Sequence, residues 1–299
     1  MTRYTPTTMT AQNMKGKICL VTGANSGLGR AIATGLARYG ATVVMVCRNQ
    51  KRGEAGRRYI TKISGSSDVH LLIADLSRRQ NIVELSETFK RQFRRLDVLV
   101  NNAGILTRTR RLTEEGFEAQ FFVNHLAYFL LTNLLVDTLV ASAPSRIINV
   151  ASTAHSRGVL DFDDLQGEKR YDGWQQYANT KLANVMFTYE LARRLEGTGV
   201  TANCLHPGVI HTNLLRNYSR LLDWLFHRLR GFFRQPEEGA ETALYLAVSP
   251  EVAGVTGKYF RDSRTCGTSH QSNDPDIQKR LWEVSEMLVG RRSVHPLAR

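Results

Sequence analysis

Very little in this sequence could build a metal centre or a disulfide framework. There are four cysteines, Cys19, Cys47, Cys204 and Cys266, and no two of them form a CxxC pair. Cys19 and Cys47 fall in apolar, strand-like runs, where an unpaired thiol behaves as a small hydrophobe. A reducing, intracellular setting is therefore expected, and no metal. His155, His206 and His211 lack metal-ligand spacing and are expected as polar wall or packing residues. No uninterrupted apolar run approaches the ~20 residues of a spanning helix. The polar start has no apolar stretch of the secretory type, so residues 1–14 read as a flexible arm. Acidic residues are also scarce, 27 against 40 lysines and arginines, which leaves a net charge of +13. That balance invites a nucleic-acid reading. The basic residues are nevertheless spread over several segments, without a nucleic-acid module, and solvated helix faces account for them. No repeat, low-complexity tract or linker divides the chain. One domain over 15–290 is expected, with a basic tail at 291–299.

What the sequence does contain is alternation. Lys17–Thr22 is a short apolar run ending at glycines, and a helical pattern follows from Gly27 to Tyr39. Ala41–Val46, Val69–Ile73, Asp97–Asn101, Arg146–Val150 and Val200–Leu205 read as further strands separated by helices. Gly257–Phe260 reads as a last strand and Asp276–Val289 as a final helix. Runs apolar on both faces and joined by helices predict an α/β Rossmann fold: a doubly wound parallel sheet of about seven strands with helices on both sides.

The turn Thr22-Gly-Ala-Asn-Ser-Gly-Leu-Gly29 sits at the first strand-to-helix junction. Gly23 permits the turn, Gly27 lets backbone approach a pyrophosphate, and Gly29 lets helix and strand pack closely. The helix start then offers free N–H groups to an anion. An NAD site of this kind ends its second strand in a carboxylate that binds the ribose. Here Cys47-Arg48-Asn49 stands in its place. A guanidinium pairs with a 2′-phosphate that a carboxylate would repel, so Arg48 points to NADP(H). Asp75, after the third strand, is placed either to touch the adenine or to cap a helix over 77–93.

Tyr177-Ala-Asn-Thr-Lys181 puts a phenol and an ammonium one helical turn apart. A neighbouring cation lowers a tyrosine pKa from ~10 towards the range useful for acid–base catalysis. Ser152 follows the fifth strand at its carboxyl edge, where doubly wound sheets bind ligands, and its hydroxyl can orient a substrate oxygen. Asn101-Asn102-Ala103-Gly104 ends the fourth strand in the same crevice. Asn124 is a polar residue in an apolar helical stretch, where burial demands a partner.

In this order, together with Pro207-Gly208 and Thr212, these elements resemble the short-chain dehydrogenase/reductase family over nearly the whole chain. Val46-Cys-Arg-Asn49, Val123-Asn-His-Leu126, Gly257-Lys-Tyr-Phe260 and the long insert between Ser152 and Tyr177 resemble its retinol dehydrogenase branch. That branch is similar to the WW-domain-containing oxidoreductase, though this sequence has no WW domain. Protochlorophyllide reductases are a more distant resemblance. The resemblance implies Tyr177 as acid in reduction and base in oxidation, with Lys181 lowering its pKa and binding the nicotinamide ribose. It implies Ser152 on the substrate oxygen and Asn124 anchoring a proton relay. The implied cofactor contacts are Gly23, Asn25, Ser26, Gly27, Leu28, Gly29, Arg48, Asp75 and Leu76. Asn102, Ala103, Gly104, Tyr177, Lys181, Pro207, Gly208, Val209 and Thr212 complete them. A homodimer or tetramer through helices around 115–139 and 174–195 is also implied.

A lid is expected at 212–235, because apolar residues recur at helical spacing over 214–233 among several arginines. Its stripe either packs over the pocket or also rests on an anionic membrane surface. Arg108, Arg110 and Arg111 either steer an acidic substrate or form a solvated loop. The expected activity is NADP(H)-dependent interconversion of alcohol and carbonyl on a small apolar substrate, such as a retinoid, steroid or lipid aldehyde. The expected setting is cytoplasmic, with any membrane contact peripheral. The competing reading is an NADP(H)-binding sensor or scaffold without turnover.

Overall fold

A computed structural model describes residues 13–208 and 235–290 of the chain. The arm before residue 13, the expected lid, Val209, Thr212, His211 and the basic tail lie outside the described residues.

Eight strands form one sheet in the order β3-β2-β1-β4-β5-β6-β7-β8. They are β1 (Ile18–Thr22), β2 (Thr42–Cys47), β3 (Val69–Ile73), β4 (Val98–Asn101), β5 (Ser145–Val150), β6 (Val200–His206), β7 (Tyr259–Arg261) and β8 (Arg264–Cys266). All neighbours are parallel except β7 and β8. The three-residue β8 escapes the sequence reading because Arg-Thr-Cys carries no buried apolar run; the hairpin turn at Asp262 and Ser263, both at positive φ, brings it back onto β7.

The helices are α1 (Gly27–Arg38), α2 (Gln50–Ser64), α3 (Arg79–Gln92), α4 (Ala119–Ala141), α5 (Gly173–Arg194), α6 (Pro236–Val248) and α7 (Pro275–Leu288). Strand alternation sorts them onto two faces. Cys19, Val21, Val43 and Met45 pack with α1 and α6, whereas Leu20, Val44 and Leu99 pack with α3, α4 and α5. A sheet buried on both sides explains why its strands read as continuous apolar runs. Helix α4 is long and apolar enough to cross a membrane by composition, yet 94% of its most apolar window is buried inside the molecule. Cys19 and Cys47 sit in this core, and burial pushes the Cys47 thiol up to about 11.

Helix α7 lies across α4 and α5. Its Trp282 meets Phe129 of α4 edge-on at 4.8 Å and stacks at 5.8 Å on Phe187 of α5. Phe129, Phe187 and His125 are thereby buried, so a second copy of the chain has no access to this part of the helix pair.

Candidate active site

The strand order reverses between β1 and β4, and ligands of doubly wound sheets bind at that point, beyond the carboxyl ends of the strands. A crevice of about 1400 Å³ opens there. Its walls include every described residue of the expected cofactor set, from Gly23 to Gly208, together with Ser152.

The glycine turn is locked to the β4 turn. Thr22 Oγ1 accepts bonds from the N–H groups of Asn102 (2.9 Å) and Ala103 (3.0 Å), and Asn102 Nδ2 donates to Thr22 O at 2.7 Å. The approach leaves no room for a side chain at Gly29, whose added Cβ would lie 2.4 Å from Asn102 Nδ2 and 2.5 Å from Gly23 O. Gly29→Ala is therefore expected to destabilise the fold by several degrees in a melting experiment and to weaken dinucleotide binding; an unchanged protein would contradict this packing. Ser26, preceding α1, makes no side-chain cap bond, and the first turn holds no acid. Its N–H groups are free to meet an anion, so the residues present fit a dinucleotide pyrophosphate.

At the far end of the crevice Arg48 follows β2, exposed and on the wall. Among the described residues no carboxylate pairs with it. Arg52, four residues on, lines the same wall and was not singled out from sequence, because an arginine in the first turn of a polar helix carries no distinguishing signal. Asn49 has a structural task, accepting Arg52 N at 2.9 Å as the cap of α2. Asp75 lines the crevice but caps a turn, its Oδ1 taking Ser77 N at 3.0 Å and Ser77 Oγ at 2.7 Å. Helix α3 begins only at Arg79 with Arg78 before it, so Asp75 is not its cap.

The proton-transfer candidates converge at the other end. Tyr177 and Lys181 share one face of α5 and are both buried. Lys181 Nζ donates to Val150 O at 2.9 Å and stands 5.5 Å from the centre of the Tyr177 ring. Asn124 lies behind the wall with its Oδ1 accepting Ile105 N at 2.8 Å. Its Nδ2 donates to Ile105 O (3.0 Å) and Thr180 Oγ1 (3.1 Å). A Cβ on Gly104 would sit 3.3 Å from Asn124 Oδ1 and 3.9 Å from Lys181 Nζ, so the β4 turn closes directly over both. Ser152 caps a short 3-10 helix, Thr153–Arg157, its hydroxyl accepting Ala154 N at 3.2 Å.

The electrostatics differ from the expectation of a cation lowering the tyrosine. Burial pushes Tyr177 up to about 12, with a hydrogen bond from the Ser152 side acting the other way. Burial also brings Lys181 down from 10.5 to about 7. The phenol therefore keeps its proton near neutrality, and desolvation dominates both groups. Between pH 7 and 10.5 the unfolded chain binds a proton at Lys181 that the folded chain does not, so stability rises with pH across that window. Below it both forms are charged and the burial penalty is complete. Lys181→Met is expected to shift Tm more favourably at pH 6 than at pH 9. Equal shifts in melts at the two pH values would rule out a buried cation.

The basic loop after β4 divides. Arg110 is a strut, with Nε on Gln166 O at 2.9 Å and a side-chain nitrogen on Glu168 at 3.2 Å, while Arg111 lines the crevice and Arg108 is solvated. Arg157 and Trp174 join the wall, neither singled out for it from sequence. His155 packs on Tyr259 at 4.8 Å with Nδ1 bonded to Ser152 O at 2.7 Å; His206 Nδ1 accepts Thr153 N. Both are packing and wall residues.

A glycine cradle at a helix start and a Ser-Tyr-Lys set at one sheet edge define a Rossmann-type oxidoreductase. The chain belongs to the short-chain dehydrogenase family, whose model matches residues 17–221. It is 46% identical to human retinol dehydrogenase 14, over 93% of this chain and 87% of that protein. Among solved structures it resembles an uncharacterised protein of Mycobacterium paratuberculosis, with TM-score 0.78, 32% identity, and 95% and 97% of the two chains covered. A 3-ketoacyl-(acyl-carrier-protein) reductase of Brucella melitensis complexed with NADH follows, with TM-score 0.65, 27% identity, and 83% and 96% covered.

Proposed function

We propose that this oxidoreductase uses NADP(H) to interconvert an alcohol and a carbonyl on an apolar substrate of the retinoid, steroid or lipid-aldehyde kind. The observation that carries the reading is a single crevice with Arg48 at one end and Ser152, Tyr177 and Lys181 at the other. The similarity to retinol dehydrogenase 14 supports the substrate class, and the reductase bound to NADH supports a nicotinamide dinucleotide.

The dinucleotide, when bound, supplies or accepts the hydride. The glycine turn holds its pyrophosphate and Arg48 its 2′-phosphate. Ser152 donates a hydrogen bond to the substrate oxygen and fixes it beside the Tyr177 phenol. In reduction Tyr177 donates its proton to that oxygen; in oxidation Tyr177 first releases its own proton to water, and the phenolate then takes the proton of the substrate hydroxyl. Lys181, held by Val150 O, holds the ribose hydroxyls and lies next to the phenol. Asn124, fixed on Ile105, orders the water from which Tyr177 is reprotonated.

A panel of apolar aldehydes and ketones, assayed by NADPH consumption and in parallel with NADH, tests this. Turnover with NADPH preferred supports the proposal. Tight NADPH binding without turnover of any carbonyl or alcohol would favour the sensor reading instead.

A further inference from the structure

Helix α4 is not regular. Residues Phe122–Leu126 form a π-helical turn, closed by Ala127 N donating to Phe122 O. Such turns insert one extra residue into a helix and recur at functional sites, but they are less favourable than α-helix and persist where surroundings over-determine them. Two consecutive side chains of this turn are buried and hydrogen-bonded in different places. Asn124 is fixed to Ile105 and Thr180 beside the crevice. His125 enters the layer between α4, α5 and α7, where its ring lies 5.3 Å from Phe121, 6.1 Å from Phe187 and 6.5 Å from Phe129.

The His125 ring meets Ser285 of α7, with Nε2 2.9 Å from Oγ, and the amide of Asn184 on α5 also faces it. Ser285 Oγ already donates its proton to Leu281 O at 2.7 Å, so it accepts here and His125 Nε2 carries the hydrogen. Burial lowers the imidazole to about 3, against a hydrogen bond from the Asn184 side, and so leaves the ring neutral. Leu281 and Trp282 anchor the α7 side, both buried.

We infer that His125 is a positioning residue: its bond to Ser285 lets the C-terminal helix hold the π-turn in the register that keeps Asn124 bonded to Ile105 and Thr180 behind the crevice wall. The inference rests on the proposed role of Asn124. Without the clamp the turn relaxes towards α-helical register, and Asn124 loses its grip on Ile105. A displacement of about 1 Å suffices to slow a positioned reaction severely.

The test uses the full chain with His125→Phe, which keeps a ring but removes the donor, and His125→Gln, which restores a donor. Ser285→Ala removes the acceptor with minimal change in volume. Hydrogen exchange at the Ile105 amide, whose bond is to Asn124, reads the turn without cofactor or substrate. Exchange is expected to quicken in His125→Phe and Ser285→Ala and to slow again in His125→Gln. In turnover, kcat is expected to fall about tenfold in the first two, with KM for NADPH and carbonyl unchanged and with recovery in the glutamine variant. Unchanged exchange in both Phe and Ala variants overturns the inference. So does faster exchange with unaltered kcat, since the turn would then move without consequence. Should His125→Phe fail to fold, Ser285→Ala carries the same two readouts. A wild-type protein without turnover would count against the proposed function, while the exchange measurement would still judge the clamp.

Discussion

Tyr177→Phe is expected to lower kcat by about a thousandfold, with NADPH affinity nearly unchanged. The phenol oxygen is the group placed to exchange a proton with the substrate oxygen. Everything else about residue 177 is a ring, and phenylalanine keeps it. The Trp174 ring stands perpendicular to it at 6.1 Å, and Lys181 lies 5.5 Å from its centre, both contacts that a phenyl ring preserves. Burial holds the phenol near 12, so the acid form is fully loaded at neutral pH and the loss is not one a more alkaline buffer can repair. Stopped-flow turnover alongside fluorescence titration of NADPH separates the chemical loss from binding. Retained turnover would mean that the proton comes from another group, and the mechanism would have to be abandoned. A parallel loss of NADPH affinity would mean that the hydroxyl serves the cofactor and not the reaction.

Local spacing carried much of this into the sequence. The glycine turn and Tyr177-x-x-x-Lys181 each need only a few consecutive residues, and both lie on the crevice wall. The parallel sheet was legible because strands buried on both faces cannot hide their apolar runs. Much of what the sequence does not show depends on partners far along the chain. Arg108, Arg110 and Arg111 are equivalent as letters, but only Arg110 reaches Glu168, 58 positions on. His125 reads as one polar residue in an apolar helix, and its partner Ser285 is 160 positions away. The extra residue of the π-turn leaves no compositional trace. The direction of the Tyr177 shift is hidden in the sequence for a related reason. Sequence shows the cation one turn away, whereas the burial that opposes it is a property of the assembled crevice.

Arg48→Asp is expected to raise KM for NADPH at least tenfold, about the value of a charge-assisted hydrogen bond, while KM for NADH changes little or falls. Arg48 is exposed just beyond β2, so the exchange leaves the sheet intact, and the cap of α2 belongs to Asn49. The two cofactors differ only in the 2′-phosphate, and the ratio of their KM values therefore isolates the charge at this end of the crevice. Aspartate there reverses the sign: it repels the phosphate but accepts hydrogen bonds from the ribose hydroxyls of NADH. Arg52 on the same wall softens the loss, and Arg48→Asp combined with Arg52→Ala should deepen it. Because both guanidiniums face solvent, the NADPH effect should shrink as salt is added, whereas an effect transmitted through backbone distortion would not. Equal changes for NADPH and NADH at every ionic strength would remove Arg48 from the cofactor assignment and leave the preference between the two dinucleotides to some other residue.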